Sequence, residues 1–407
     1  MPTRMTTALM AARVVLAGVA LLALGAFGGT AEPRSATVPL ALDHNRMTVA
    51  VEFPRPGGGV RTARAWVDTG GTDIVVSESL ARDLGIDVPS PLAADRSVPS
   101  PSRALAMRVG GVALHTEGIA VAVRAGSVAL PGIKAECTIA PRCLRRLHVV
   151  FDYPARRLTL ARPGVLKPSG TPVPCRVNPE TGLVMIETVV DGEKLALGID
   201  NGSAGTWVSD TLTAAWLVRH ADWPRAVGAA GSTNFFGFPF ETRGTLMRLP
   251  AVAIGAATPL RDVAVLGLPQ GLFDWYSKKS AAAVAGFLGA DVIARFRLEI
   301  DFPGQMTWWQ AGPAPARRDL DIVGLTLRPE SDGSFAVAGV VSRNGRPMVE
   351  GVEPNDRLLR VDGLDVANVP MGAVIEALRG TPGATRTLLL ERAGRRITVQ
   401  ATVVRLP

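Results

Sequence analysis

The sequence has few of the residues on which metal and thiol chemistry depend. Its 407 residues include three cysteines and four histidines. Cys137, Cys143 and Cys175 form no C-x-x-C pair, which excludes a zinc ribbon. Cys137 and Cys143 could close a small loop, but the odd number of cysteines leaves the disulfide pairing open. The histidines form neither an H-E-x-x-H motif nor a close pair, so no metal site is expected.

Other catalytic and binding signatures are also missing. The chain has no G-x-S-x-G nucleophile elbow, no P-loop and no dinucleotide fingerprint, so no organic cofactor is expected. The formal net charge is +8, but the arginines are scattered and form no basic block, so no nucleic-acid partner is predicted. His148 lies within an apolar strand pattern and is interpreted as a structural residue rather than a general base.

Long apolar runs are scarce, and the clearest one lies near the N-terminus. Residues 14–27 form an apolar run of 14 residues, which is short for a transmembrane helix. Arg4 and Arg13 precede the run, and the small residues 29–31 follow it. This layout predicts a secretory signal peptide over residues 1–31 and an exported protein, periplasmic or secreted. The alternative is an uncleaved N-terminal anchor, and only through it is contact with a membrane expected.

One segment of the sequence occurs twice. Residues 67–80 read VDTGGTDIVVSESL, and residues 199–212 read IDNGSAGTWVSDTL. An offset of 132 residues aligns an Asp, a Gly, a Val-Ser pair, an acidic residue, a hydroxyl residue and a Leu. Each copy is typical of an apolar strand, a turn of small residues, a second strand and a helix capped by serine.

A second pair of matching segments lies further along the chain, at an offset of 149 residues. Residues 138–140 (TIA) match 287–289 (FLG), and residues 149–154 (VVFDYP) match 298–303 (LEIDFP). The longer match predicts a strand, a tight turn and a returning strand. Residues 34–165 and 170–313 are therefore predicted to be two copies of one β-rich lobe, joined by a Pro-Gly-rich link over 162–174.

Each predicted lobe places one aspartate on a turn that contains glycine. These aspartates are Asp68 and Asp200. Two carboxylates that meet in one site resist double ionisation, so one proton is held between them. The ionised partner can then take a proton from water while the protonated partner polarises a carbonyl group. The duplication therefore favours a water-activating carboxylate pair.

Residues 65–70 (AWVDTG) resemble the Asp-Thr-Gly signature of pepsins and retropepsins. Residues 287–291 (FLGAD) and the strands that follow them resemble the closing part of a retropepsin lobe. The resemblance implies a mainly β, bilobed aspartic endopeptidase that binds a peptide or protein substrate between its lobes. It implies that Asp68 and Asp200 are catalytic. It also implies a supporting role in the active-site loops for Thr69, Gly70, Asn201, Gly202 and Ser203.

The sequence departs from that family in three respects. Asn201 stands where the family has Thr or Ser, and Ala140 replaces the usual Gly of the strand behind the first loop. No family flap tyrosine can be placed in either lobe. Residues 234–238 (NFFGF) could cover a cleft or belong to an ordinary core. Asn201 leaves a second hypothesis open, namely a catalytically inactive peptidase fold that serves as a peptide-binding scaffold or sensor.

The last part of the chain, residues 318–407, has a different sequence pattern from the two lobes. A linker at 314–318 precedes it. Its pattern predicts strands, then a helix around Val374, Ile375 and Leu378, and finally two closing strands. The pattern resembles a small β-rich PDZ domain, which implies capture of an extended peptide or a protein C-terminus by strand addition. The residues implied in that capture are Gly324, Leu325, Thr326 and Leu327. The alternative is a β-rich cap that packs on the peptidase.

Overall fold

The computed structural model describes residues 32–88, 105–124, 134–232, 239–256, 259–280, 282–312 and 319–407. The signal peptide predicted at 1–31 and the loop predicted at 234–238 lie outside these ranges, as does the linker predicted at 314–318. Within the described ranges, none of the helices combines the length and the apolar character needed to cross a bilayer.

The described chain is mainly β, which confirms the predicted fold class. Its first part, called lobe 1 here, is built from short strands, of which the central ones are largely buried. The strands of lobe 1 are β1 (Ser35–Pro39), β2 (Ala41–Asp43), β3 (Arg46–Pro54), β4 (Val60–Val67), β5 (Ile74–Ser77), β6 (Arg108–Val109), β7 (Val112–Ala113), β8 (Val121–Arg124), β9 (Cys137–Ile139), β10 (His148–Asp152) and β11 (Arg157–Ala161). Its helices are α1 (Glu78–Asp83) and α2 (Pro141–Leu144).

The second part, lobe 2, begins within the predicted link, because residues from Thr171 onward already pair as a strand. The strands of lobe 2 are β12 (Thr171–Val177), β13 (Val184–Val190), β14 (Glu193–Ile199), β15 (Trp207–Ser209), β16 (Arg225–Val227), β17 (Gly231–Ser232), β18 (Thr245–Ile254), β19 (Leu260–Leu268), β20 (Gly286–Leu288), β21 (Phe296–Asp301) and β22 (Met306–Ala311). Its helices are α3 (Asp210–Arg219), α4 (Pro239–Arg243), α5 (Gln270–Ser280) and α6 (Ala290–Ile293).

The sequence repeat corresponds to a repeat of strand pairing. In lobe 1, β4 runs parallel to β9, and β9 pairs antiparallel with β5. In lobe 2, β14 runs parallel to β20, and β20 pairs antiparallel with β15. The helices α1 and α3 both begin after a serine whose hydroxyl accepts a backbone N–H, Ser77 in lobe 1 and Ser209 in lobe 2. The two matching segments therefore fold in the same way, as the offset of 132 residues predicts.

The two lobes are joined by equivalent strands. Strand β10 pairs antiparallel with β21, and in this register Val150 lies opposite Glu299. These two residues are also partners in the second sequence repeat, so equivalent strands of the two lobes pair with each other at equivalent residues. An approximate twofold axis therefore passes between the lobes here, and it relates Asp68 to Asp200.

The remaining residues, 319–407, form the C-terminal module. Its strands are β23 (Asp321–Ile322), β24 (Leu325–Pro329), β25 (Phe335–Val340), β26 (Ser342–Arg343), β27 (Arg346–Pro347), β28 (Arg357–Val361), β29 (Leu364–Asp365), β30 (Thr385–Arg392), β31 (Arg395–Thr402) and β32 (Val404–Arg405). Its helix is α7 (Met371–Leu378), which buries Val374, Ile375 and Leu378 as predicted.

The C-terminal module shares its core with lobe 2. One apolar cluster includes Trp207 and Phe287 of lobe 2 together with Leu325, Ile375 and Leu390 of the module. Because apolar burial is the main favourable term in folding, this shared core fixes the module to lobe 2. A second cluster joins lobe 1 to the rest of lobe 2.

Candidate active site

Asp68 and Asp200 each directly follow a central strand and are held by the strand behind it. The backbone N–H of Asp68 donates to Ile139 O at 3.0 Å, and that of Asp200 donates to Leu288 O at 3.0 Å. Ile139 and Leu288 are themselves partners in the offset of 149 residues. Each aspartate therefore leaves its strand at the same point of the fold, with its backbone fixed.

Each carboxylate is also anchored in its own turn. Asp68 Oδ1 accepts the backbone N–H groups of Gly70 at 3.1 Å and Gly71 at 3.0 Å. Asp200 Oδ1 accepts those of Gly202 at 2.9 Å and Ser203 at 3.3 Å. Hydrogen bonds of this kind hold a carboxylate rigidly and favour its charged form.

The two turns face each other, and their glycines allow the approach. A Cβ added to Gly202 would lie 2.3 Å from Asp68 Oδ1, and one added to Gly70 would lie 2.5 Å from Asp200 Cγ. The two carboxyl groups lie close enough that each affects the pKa of the other. Each carboxyl group thus occupies the space beside the glycine of the other turn. Any residue with a side chain at that glycine position would fill this space.

Thr69 and Asn201 connect the turns below the carboxylates. The Thr69 hydroxyl donates to Ile199 O at 2.8 Å and accepts the Asn201 N–H at 3.0 Å. In return, Asn201 Oδ1 accepts the Thr69 N–H at 3.0 Å. The Asn201 amide nitrogen is buried without a hydrogen-bond partner among the described residues. The connection is therefore reciprocal, although one side is a hydroxyl and the other an amide.

Both carboxyl groups are hard to ionise in this environment. Burial, and then the negative charge of Asp68, raise the pKa of Asp200 to about 8. Burial also raises the pKa of Asp68, although hydrogen bonds from Gly70 and Gly71 oppose the shift. The pair is consequently expected to hold one proton over the range in which an isolated carboxyl would be ionised.

Three residues near the carboxylates were not predicted from the sequence. Arg46 is 1% exposed and its Nε donates to Gly202 O at 3.1 Å. Tyr276, in α5, donates its hydroxyl to Gly70 O at 3.0 Å. Tyr153 is buried close enough that the charge of Asp200 affects its pKa. Arg46 could have been noticed in the sequence, because a charged residue at the start of a largely apolar strand requires a partner if it is buried.

Ser203 has a local structural role as well as a place in the second turn. Its hydroxyl donates to Gly205 O at 2.7 Å and accepts the Trp207 indole N–H at 3.1 Å. The predicted loop residues Thr69, Gly70, Asn201, Gly202 and Ser203 thus all lie around the carboxylates. His148 lies at the junction of the lobes, where its Nε2 is 3.0 Å from Glu299 Oε2 and its ring stacks on Trp308.

The residues implied in peptide capture by the C-terminal module are not accessible in this structure. Leu325, Thr326 and Leu327 are fully buried. Strand β17 of lobe 2 already pairs with β24, with Gly231 opposite Thr326. The N–H of Leu325 donates to Val323 O, so it is not directed at an external carboxylate. In this structure lobe 2 therefore occupies the strand edge at 324–327, and peptide capture by Gly324, Leu325, Thr326 and Leu327 stays a prediction.

A cavity of about 90 Å³ lies where the two lobes and the module meet. Its lining includes His44, Thr206, Asp291 and Arg379, but neither Asp68 nor Asp200. Burial raises the pKa of Asp291 to about 6, while the Thr206 hydroxyl donates to its Oδ1.

Across the described ranges, no group of three or more His, Cys, Asp or Glu side chains is placed to hold a metal ion. Cys137, Cys143 and Cys175 are free thiols.

Comparisons with known proteins find similar chains only among solved structures. No protein-family model matches the sequence, and no curated protein matches it. Among solved structures, the chain is similar to an aspartic proteinase from Irpex lacteus, with 14% sequence identity and a TM-score of 0.41. The match covers 68% of this chain and 97% of that one.

Proposed function

We propose that the protein is an aspartic-type endopeptidase in which Asp68 and Asp200 activate a water molecule. One observation carries the proposal: two equivalent turns from duplicated lobes bring two carboxyl groups together, each beside the other turn's glycine. The ionised carboxyl takes a proton from water as the water oxygen bonds to the scissile carbonyl carbon, and the protonated carboxyl polarises the carbonyl oxygen. The C–N bond then breaks, and a carboxyl proton passes to the leaving amine. The reaction needs no metal and no organic cofactor.

The environment of the carboxyl groups supports this role. Because both pKa values are raised, one carboxyl group can keep its proton while the other accepts a proton from water. Thr69 and Asn201 would keep the two turns in register, and Gly70, Gly202 and Ser203 would fix the carboxylate positions. The substrate class we infer is an extended peptide or an unfolded protein segment, and the site of action is outside the cytoplasm because of the predicted signal peptide.

For the C-terminal module, we infer a role as a cap on lobe 2 rather than as an open receptor. The shared apolar core and the pairing of β17 with β24 both support this interpretation. Capture of a protein C-terminus by a PDZ-like module would require β17 to leave β24.

The assignment predicts that Asp68→Asn and Asp200→Asn each lower the rate of peptide cleavage on the order of 10³-fold or more, because either change removes the shared proton or its acceptor. The rate is measured with an unfolded protein or a generic peptide library as substrate. Asp73→Asn is the matched control, because Asp73 is an exposed aspartate in the same loop. It should cleave at the wild-type rate.

Two results would count against the assignment. If both active-site variants keep full activity, the carboxyl pair is not the catalytic group. If the wild-type protein binds peptides but cleaves none at any pH, the inactive scaffold suggested by Asn201 is the better description. Far-ultraviolet circular dichroism on each variant ensures that a lost rate is not a lost fold.

A further inference from the structure

A cleft of about 620 Å³ lies between lobe 2 and the C-terminal module, and the carboxyl pair is not part of its lining. Its volume is in the range of sites that bind small molecules. Four arginines line it, namely Arg225 and Arg248 of lobe 2 and Arg343 and Arg405 of the module. Among the described residues, no aspartate or glutamate lines it. The cleft is therefore strongly basic.

Two of the four arginines are neutralised by aspartates behind them. Arg405 Nε and Nη2 donate to the two carboxylate oxygens of Asp321, each at 2.9 Å. Asp321 is 2% exposed, so this forked pair is well shielded from water on its acidic side. Arg248 Nη2 donates to Asp319 Oδ1 at 3.0 Å. These two arginines thus have compensating charges and fixed positions.

The other two arginines have no such compensation. Arg225 Nη1 donates to Ala221 O at 3.0 Å, and Arg343 Nη2 donates to Arg405 O at 2.9 Å. Neither forms an ion pair with any residue that the structure describes. A backbone carbonyl can position a guanidinium group, but it does not cancel the charge. The lining therefore carries two positive side-chain charges without a counter-charge.

The two uncompensated charges lie on neighbouring strands. Arg225 begins β16 and Arg343 ends β26, and these strands pair antiparallel with Val227 opposite Ser342. Like charges this close across a strand pair are unfavourable unless an anion lies between them. The arrangement therefore favours a bound anion.

The surroundings of the arginines are rigid and partly apolar. Strand β26 ends in a two-residue turn, Asn344 and Gly345, with φ values of 52° and 75°, as a type I′ turn requires. The Trp223 ring stacks on the His220 ring at 4.3 Å, with 4° between their planes. Trp223 and Leu406 both line the cleft. The cleft thus combines fixed guanidinium groups with apolar surface.

We propose that this cleft binds a phosphate monoester, with Arg225 and Arg343 on the phosphate and Trp223 against the attached organic group. The planar guanidinium fork matches the oxygens of a phosphate group. A phosphate monoester carries about −1.5 to −2 charges at pH 7, which matches the two uncompensated charges. Such a group occurs in free phosphate esters and in lipids whose head group is a terminal phosphate.

An acidic peptide fits these observations less well than a phosphate monoester does. Its carboxylates are spread along an extended backbone, whereas the two uncompensated guanidinium groups lie on neighbouring strands of one cleft. The inference does not depend on the proposed peptidase function.

Isothermal titration of the full chain with phenyl phosphate, a soluble phosphate monoester, is the first test. Arg225→Gln and Arg343→Gln should each weaken binding about tenfold or more, because each change removes charge-assisted hydrogen bonds to the phosphate. Arg395→Gln is the matched control, because Arg395 is an exposed arginine of the module that does not line the cleft. It should bind like the wild type, and chemical unfolding checks that each variant is folded.

Vesicles distinguish the two sources of the phosphate. Phosphatidylcholine vesicles with and without phosphatidic acid, which carries a phosphate monoester, are sedimented with the wild type, Arg343→Gln and Arg395→Gln. Loss of binding to phosphatidic acid in Arg343→Gln alone identifies a lipid head group as the ligand. Binding of phenyl phosphate without binding to these vesicles identifies a free ester. Any attachment through the predicted N-terminal segment is common to all three proteins and cancels in the comparison.

Two results would overturn the inference. One is a wild-type protein that binds neither probe, or folded Arg225→Gln and Arg343→Gln variants that bind as tightly as Arg395→Gln. The other is a glutamate-rich hexapeptide that binds more tightly than phenyl phosphate and depends on the same two arginines, since it would assign the cleft to an acidic peptide. Peptide cleavage is measured separately, so a failure here leaves the proposed function unaffected.

Discussion

Asn201 is the residue at which the second aspartate turn differs most from the first. Its Oδ1 reproduces one hydrogen bond of a hydroxyl, since it accepts the Thr69 N–H. Its Nδ2 is buried without a partner among the described residues. By the symmetry of the lobes, a hydroxyl at this position would donate to Val67 O, as the Thr69 hydroxyl donates to Ile199 O. The amide therefore connects the turns but leaves a donor unsatisfied.

We expect Asn201→Thr to raise the free energy of unfolding by about 1 kcal/mol and to keep cleavage activity, because it removes an unsatisfied buried donor. Asn201→Val has the shape of Thr without the oxygen. It should lower stability by about 2 kcal/mol, because the Thr69 N–H then loses its acceptor. Denaturant unfolding measures both changes. Equal stability of the Thr and Val variants would show that the hydrogen bond from Thr69 contributes nothing.

The raised pKa of Asp200 predicts an enzyme that remains active at neutral pH. The catalytic form holds one proton, and this form persists until the pH exceeds about 8. Above that pH the rate should fall about tenfold per unit. Because the folded-state pKa is raised above the unfolded value, the associated stability is complete below about pH 4 and is lost as the pH rises through 8.

A pH profile of kcat/KM with a neutral peptide substrate measures the position of this limb. The unfolding free energy of the wild type should also decline toward alkaline pH more steeply than that of Asp200→Asn, which has no titrating group at this position. An alkaline limb below pH 6 would contradict the prediction, since it would mean that the second proton is lost as readily as from an ordinary carboxyl pair.

At the level of elements, local sequence patterns were the reliable guide. The repeat predicted the two strand-turn-strand-helix units, and Ser77 and Ser209 cap α1 and α3 as expected. The departure at Ala140 also has a structural explanation. Gly289 lies against Gly205 O, where an added Cβ would be only 2.1 Å away. Ala140, its partner in the repeat, is buried but tolerates a methyl group.

Elements that depend on distant parts of the chain could not be predicted. Strand β17 has two residues, and its pairing with β24 joins segments nearly a hundred residues apart. No local propensity specifies such a pairing, because it depends on the shape of the shared core between lobe 2 and the module. The hydrogen bond from Tyr276 to Gly70 is non-local in the same way. The candidate catalytic residues were found because each is part of a local repeat, whereas Arg46 and Tyr276 are not.

At the level of the whole molecule, the relative position of the two carboxyl groups depends on the junction between the lobes. Strands β10 and β21 form this junction, and Glu299 lies opposite Val150 at its centre. Glu299 is 0% exposed and accepts hydrogen bonds from His148, the Ser169 N–H and Arg297. Although burial opposes ionisation, these bonds lower the pKa of Glu299 to about 2. The junction thus contains a buried and well-compensated charge.

We expect Glu299→Gln to lower the free energy of unfolding at pH 7 by roughly 3 kcal/mol, because it leaves the buried partners of the carboxylate uncompensated. Since the folded-state pKa is depressed, this contribution is present above the unfolded pKa of about 4.3 and is lost as the pH falls toward 2. The difference between wild type and variant should therefore shrink in acid. Glu187→Gln, which alters an exposed pair with Lys194, should change stability by about 0.5 kcal/mol or less. If the two variants are equally stable, the buried charge at the junction does not hold the lobes together, and the alignment of Asp68 with Asp200 must depend on the turns alone.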